Sequence, residues 1–163
     1  DMVAIQWNSD ASARKLQSED IPKLCFIEMK YGDSALTGKA GMLNHVEQWK
    51  KYLTSENIRD LKYEMLNIFQ QKRDIGLIAG LKGNRNEVKS FSVEIDCIFL
   101  LANHDPSSRK LKKIIEELKH IKIPGVQIKF CVSNFMGYGL YKENVIDLTD
   151  FQAGYKRQIC SQG

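Results

Sequence analysis

Short apolar runs broken by turn residues alternate along this chain with longer stretches of helical period. Asp1-Met2-Val3-Ala4-Ile5-Gln6-Trp7 reads as a strand, and Asn8-Ser9-Asp10 as the turn that follows it. The polar stretch from Ala11 to Pro22 returns the chain to a second strand, Leu24-Cys25-Phe26-Ile27-Glu28-Met29-Lys30. After Thr37-Gly38-Lys39-Ala40-Gly41 the period changes. Met42, Val46, Trp49 and Leu53 fall on one face of a helix predicted from about Ala40 to Leu53, with His45, Gln48 and Tyr52 on a neighbouring face. Ser55 is the expected N-cap of a second helix, roughly Glu56 to Gln71, whose stripe is Ile58, Leu61, Met65 and Ile68. Lys82-Gly83-Asn84-Arg85-Asn86 is a loop, and Ser92 to Leu101 is a strand whose later part is buried on both faces. Asp105-Pro106-Ser107 opens a helix to about His120 with Leu111, Ile114, Ile115 and Leu118 inward. Pro124-Gly125 is a turn, Val126 to Ser133 a strand, and the tail from Gly137 reads as Gly- and Tyr-rich and then polar.

Helices placed between strands favour parallel neighbours, so this order predicts an α/β protein with a mixed central sheet flanked by helices. With 163 residues and no internal repeat, the chain is read as a single domain, 1–163, with a sizeable core. Its 43% hydrophobic and 27% charged content is that of an ordinary globular protein. No run has the length of a membrane-spanning helix, and the first residues lack the pattern of a signal peptide, so a cytoplasmic protein with no membrane partner is expected. The net charge of +4 permits an anionic partner without demanding one. Cys25, Cys97, Cys131 and Cys160 lie far apart, without the close pairs of a zinc or redox motif, and are read as reduced core residues.

The chemistry concentrates at the end of the second strand. Residues i and i+2 of a strand share a face, so Glu28 and Lys30 project side by side while Met29 points the other way. An apolar strand that carries two charges at one end is an unfavourable arrangement unless the charges are used. A carboxylate is a hard oxygen ligand for Mg²⁺ or Mn²⁺, and a lysine can orient a water or neutralise charge that develops on a phosphate. Two adjacent antiparallel strands would bring Asp1 beside Glu28 as a second carboxylate. The bland alternative is a same-face ion pair at a sheet end, which contributes little.

Asp1 followed after a hairpin by Glu28-x-Lys30, within Ile27-Glu28-Met29-Lys30-Tyr31-Gly32 and ahead of a helix, resembles the PD-(D/E)xK nuclease superfamily, the restriction-endonuclease-like fold. The resemblance implies metal-dependent hydrolysis of a phosphodiester in nucleic acid, DNA first, with Asp1 and Glu28 holding Mg²⁺ or Mn²⁺. The Met29 carbonyl would be a further ligand, and Lys30 would serve the attacking water. The helix after this strand lies beside the site in that superfamily, which makes His45 and Gln48 candidates for contact with a phosphate or a water. A helix and a strand precede the Asp strand there, so the chain is expected to be a fragment of a longer protein. The resemblance leaves room for a homodimer. The alternatives are a nuclease-like fold that has lost catalysis and acts as a binding or assembly module, and an unrelated α/β protein with a fortuitous Glu-x-Lys.

Other features have quieter readings. Asp33 and Ser34 follow the lysine and are candidates to line the same mouth. Asp96 lies inside an apolar strand and is expected to be a structural ion-pair member. Arg109, Lys110, Lys112 and Lys113, and separately Lys50, Lys51 and Lys62, are basic helix surfaces, either solvated or in contact with phosphates. Tyr138 and Tyr141 are read as packing residues, with base stacking the alternative.

Overall fold

A computed structural model of the chain describes residues 2–7, 21–78, 88–105, 108–133 and 145–160, the last six of these as backbone only. One mixed sheet organises them, with strand order β1-β2-β3-β4-β5. β1 is Met2–Ile5, β2 Leu24–Tyr31, β3 Ile95–Ala102, β4 Val126–Ser133 and β5 Ile146–Asp147. β1 runs antiparallel to β2 with Met2 opposite Ile27, and β2, β3 and β4 are parallel. β5 closes the far edge antiparallel to β4. The four predicted strands therefore share one sheet, as the strand and helix alternation requires. Asp1, at the head of the first predicted strand, lies outside the described residues, as do Tyr138 and Tyr141.

Among the described residues four α-helices pack on this sheet: α1 Met42–Leu53, α2 Asn57–Asp74, α3 Arg109–Leu118 and α4 Leu148–Cys160. The predicted stripes of α1 and α3 are buried in full: Met42, Val46, Trp49 and Leu53 on one, Leu111, Ile114, Ile115 and Leu118 on the other. They meet Phe26, Cys97, Phe99, Leu101 and Phe130 from one sheet face in the main core. An aromatic series crosses that core. Trp49 of α1 lies 4.8 Å from Phe99, Phe99 lies 5.9 Å from Phe130, and Phe130 stacks on Phe151 of α4 at 4.6 Å between ring centroids. Such ring pairs add about 0.5–1.5 kcal/mol each beyond the area they bury. Cys25, Ile27, Ile98 and Cys131 form a second, smaller cluster on the opposite face. Cys25, Cys97 and Cys131 are free and buried, in keeping with reduced core thiols. Among the described residues no helix is long and apolar enough to cross a membrane.

Three local expectations need correction. Ser55 does not cap α2: its hydroxyl donates backward to the Tyr52 carbonyl, and Glu56 occupies the capping position without a side-chain bond. β3 starts at Ile95 rather than Ser92, because the Ser92 hydroxyl accepts from the Glu94 amide and bends the approach. The tail is not simply polar; Leu148 and Phe151 pack α4 against the core. The Asp96 reading holds. Asp96 is buried, with Lys129 Nζ at 3.0 Å and Lys23 Nζ at 3.8 Å from its two carboxylate oxygens.

α3 starts just after the predicted Asp105-Pro106-Ser107 opening, with Ser108 as its N-cap: Ser108 Oγ accepts from the Leu111 amide in a buried setting. Ser108→Ala should lower stability by about 1 kcal/mol, the usual cost of losing such a cap. Urea denaturation would show a lower midpoint at an unchanged slope. An unmoved midpoint would mean that the cap contributes nothing to holding α3 on the sheet.

Candidate functional site

The end of β2 carries its charges where the alternation predicts. Phe26, Glu28 and Lys30 share the helix-covered face, while Met29 and Tyr31 are exposed on the other. Glu28 pairs in register with Phe99 and Lys30 with Leu101, both fully buried, so the charges stand against the main core. Their side chains are only 9% and 3% exposed. Burial at that depth is offset by the groups gathered on one Glu28 oxygen, Oε1. Lys30 Nζ lies 2.5 Å from Glu28 Oε1, and it also donates to the Ala40 carbonyl. His45, on α1, places Nε2 3.0 Å from the same Glu28 oxygen.

The loop between β2 and α1 makes this closure. Gly32 takes φ +67°, a left-handed conformation that glycine adopts without strain, and its amide bonds the Ala102 carbonyl at 2.8 Å. A 3-10 turn, Asp33–Leu36, then plugs Leu36 into the core. Asp33, predicted at the mouth, instead accepts the Asp105 amide and ties this loop to the one after β3. Gly41 sits so close to Thr37 that a Cβ there would fall 2.7 Å from Thr37 backbone carbons. The tight turn delivers the Ala40 carbonyl to Lys30 and starts α1 with His45 one turn in.

Burial is the main force on both basic groups. It pushes the Lys30 ammonium below its ordinary range. It also lowers the His45 imidazole from 6.5, and the neighbouring Lys30 charge lowers it further. His45 is thus neutral at pH 7 and donates Nε2–H to the carboxylate. The charge of the cluster is then balanced between Glu28 and Lys30.

Of the residues predicted at the site, Glu28, Lys30 and His45 converge on one carboxylate oxygen. Gln48 is exposed on α1 and does not join them. It lines a cleft of about 310 Å³ beside the cluster together with His45, Trp49, Tyr52 and Phe26. Met29 pairs with Leu100 in the sheet and turns its side chain to the opposite face. β1 begins at Met2, opposite Ile27 and one register step short of Glu28. Among the described residues no group of three or more His, Cys, Asp or Glu side chains is arranged to hold a metal ion. The Ala40 carbonyl escaped the sequence reading because a backbone acceptor leaves no signature in residue type.

The basic surfaces divide. Arg109, Lys110, Lys112 and Lys113 are all exposed on α3, as are Lys50 and Lys51 on α1. Lys62 is tied down, donating to the Ser92 carbonyl at 2.8 Å, and burial lowers its pKa. The chain matches no protein-family model, no curated protein and no solved structure.

The lowered His45 pKa sets a pH dependence. The unfolded chain binds a proton at 6.5 and the folded chain only below that, so stability is full above 6.5 and declines as pH falls toward the folded value. Lys30→Met removes the charge that helps to depress His45. The imidazole pKa should then rise and the acid-side slope of stability should flatten. Imidazole NMR titration beside urea melts at several pH values would measure both. An unchanged titration in the variant would show that Lys30 and His45 are not coupled through Glu28.

Proposed function

We propose that this chain is a metal-dependent nuclease domain of the PD-(D/E)xK type, and that it hydrolyses phosphodiesters in DNA. The reading rests on a single observation: a carboxylate and a lysine two residues apart, both buried at the end of a core strand and both bonded within one cluster. A sheet whose first strand is antiparallel to β2 and whose next two are parallel to it is in keeping with that fold.

The donor chemistry fits a hard divalent cation in part. Glu28 supplies a carboxylate, and Asp1 would supply the second that Mg²⁺ or Mn²⁺ requires, with the Met29 carbonyl beside them. Such an ion, when bound, contributes positive charge that lowers the cost of attack on a phosphodiester. Lys30 would orient the attacking water and offset negative charge gathered on the phosphate. His45 holds the Glu28 carboxylate in place through Nε2–H. The exposed basic faces of α1 and α3 would meet the phosphate backbone without regard to sequence. A second reading, a nuclease-like fold retained as a binding or assembly module, is favoured by the engagement of Glu28 Oε1 by both Lys30 and His45.

Glu28→Gln and Lys30→Met test the two roles separately. Each should lower plasmid nicking by about 10²-fold or more in Mg²⁺ or Mn²⁺, the scale of losing one group aimed at transition-state charge. Calorimetric titration should show weakened metal binding in the glutamine variant and retained binding in the methionine variant. Circular dichroism would confirm that both fold. Wild-type protein that binds the ion but never cuts supports the module reading; a Lys30→Met variant that cuts at the wild-type rate ends the proposed mechanism.

A further inference from the structure

The helix dipole favours acids in a first turn and bases in a last turn. α1, α2 and α4 keep to this. α1 ends on Lys50 and Lys51, α2 carries Asp60 in its first turn and Lys72 and Arg73 in its last, and α4 opens with Asp150. α3 is reversed. Its first turn holds Arg109, Lys110 and Lys112 and no acid, Lys113 follows at once, and its last turn holds Glu116 and Glu117 and no base. Neighbouring charges deepen the conflict. Arg109 repels Lys112 and Lys113, and Lys110 repels Lys113, across the spacings at which helix side chains meet. Among the described residues one ion pair engages the four cations, Lys113 with Glu117 at 3.9 Å, and it has the lysine N-terminal to the acid, the weaker order. The backbone end is not the attraction, because Ser108 Oγ already takes the Leu111 amide. α3 is held by its buried stripe instead. A charge pattern that weakens its own helix points to an anion outside it. Lys50 and Lys51, placed in accord with their dipole, need no such partner.

The first turn of α3 lies at the same end of the sheet as Lys30. Lys30 and Tyr31 pair with Leu101 and Ala102, the Asp105 amide bonds Asp33, and α3 begins at Arg109. Its acidic end lies a helix length away, where Glu116 accepts from Gln152 of α4. All four cations are exposed, and the apolar residues among them, Leu111, Ile114, Ile115 and Leu118, face the core. Insertion into a bilayer would require outward apolar side chains. A phosphate backbone requires only cations.

We propose that Arg109, Lys110, Lys112 and Lys113 of α3 form the surface that grips a nucleic-acid phosphate backbone and leads it toward the Glu28 cluster, independently of base sequence. The identity of the polyanion rests on the nuclease reading, whereas the grip itself requires neither metal nor cleavage.

Fluorescence anisotropy of a short labelled DNA duplex in EDTA measures the grip with hydrolysis switched off. Arg109→Gln/Lys110→Gln removes two cations from the surface, and Lys72→Gln/Lys122→Gln removes two exposed ones elsewhere. The α3 pair should weaken binding about tenfold at moderate salt and reduce the slope of log K against log salt by about two, the share of two phosphate contacts. The control pair, screened from the strand, should change affinity less than about twofold. Arg109→Glu/Lys110→Glu agrees with the dipole, so its urea midpoint should rise while its binding is lost, which also shows that the weak binder is folded. A midpoint that falls or stays put would overturn the proposal. So would equal weakening by the two glutamine pairs, a wild type that binds no duplex, or tighter binding to phosphatidylserine vesicles than to DNA. Binding that persists in EDTA without nicking in Mg²⁺ or Mn²⁺ counts against the nuclease reading and upholds this surface. Wild-type nicking by an Arg109→Gln/Lys110→Gln pair that binds at full strength does the reverse.

Discussion

A carboxylate set against a packed aromatic core has to be surrounded by donors, and Glu28 arranges its part of the molecule through that requirement. In register beside Phe99 and under α1, it has little solvent to help it. Its charge is met by the Lys30 ammonium and the His45 imidazole. Each partner brings its own demand. Lys30 needs a further acceptor, which the Ala40 carbonyl provides, and His45 needs α1 to start at a defined height above the sheet. The turn at Gly41 meets both at once. Removing one member of such a buried set typically costs about 3–5 kcal/mol, because an uncompensated charge is left behind. The loop from Gly32 to Gly41 is thereby constrained by electrostatics as much as by the burial of Leu36.

Asp96 is the same problem solved differently. It lies on the other sheet face, at the opposite end of the parallel strands, and draws its lysines from neighbouring segments rather than from its own strand. Glu28 is gripped at one oxygen by two groups, one of them two residues away. Asp96 has a lysine on each side, Lys129 3.0 Å from one oxygen and Lys23 3.8 Å from the other.

Much of this was legible in the residue pattern. Period-2 alternation assigned Glu28 and Lys30 to one face, and the 3.6-residue stripe of α1 put His45 on the face next to the buried one, while its nearness to Glu28 was only what the nuclease resemblance implied. Buried stripes such as Leu111, Ile114, Ile115 and Leu118 identified their helix without ambiguity. What failed was what local chemistry cannot carry. Ser55 has the residue type of a cap, but its hydroxyl found a nearer acceptor in the preceding turn. The helix at Leu148 was hidden by the composition around it, although Leu148 and Phe151 share the i, i+3 spacing of a packed face. Lys129 as the partner of Asp96 depends on the β3–β4 register, and Lys62 as an anchor for Ser92 on the docking of α2. Neither can be seen in a window of a few residues.

The electrostatic balance at Glu28 also bears on how a phosphate would be received. With His45 neutral, the cluster holds one negative and one positive charge within 2.5 Å, and it presents little net field to an approaching anion. Attraction at a distance must then come from the exposed lysines and arginine of α1 and α3, whose effect fades over about 10 Å at moderate salt. Under the proposed reading, recognition close to the site would require Lys30 to leave the Ala40 carbonyl, its carboxylate partner, or both. Lys30 is buried and its ammonium is already disfavoured by desolvation, so exchanging these partners for a phosphate oxygen replaces one set of charge-assisted bonds by another. The contacts that hold Lys30 are therefore the ones a phosphate would have to share under the proposed reading, and the tight turn at Gly41 keeps the Ala40 carbonyl among them.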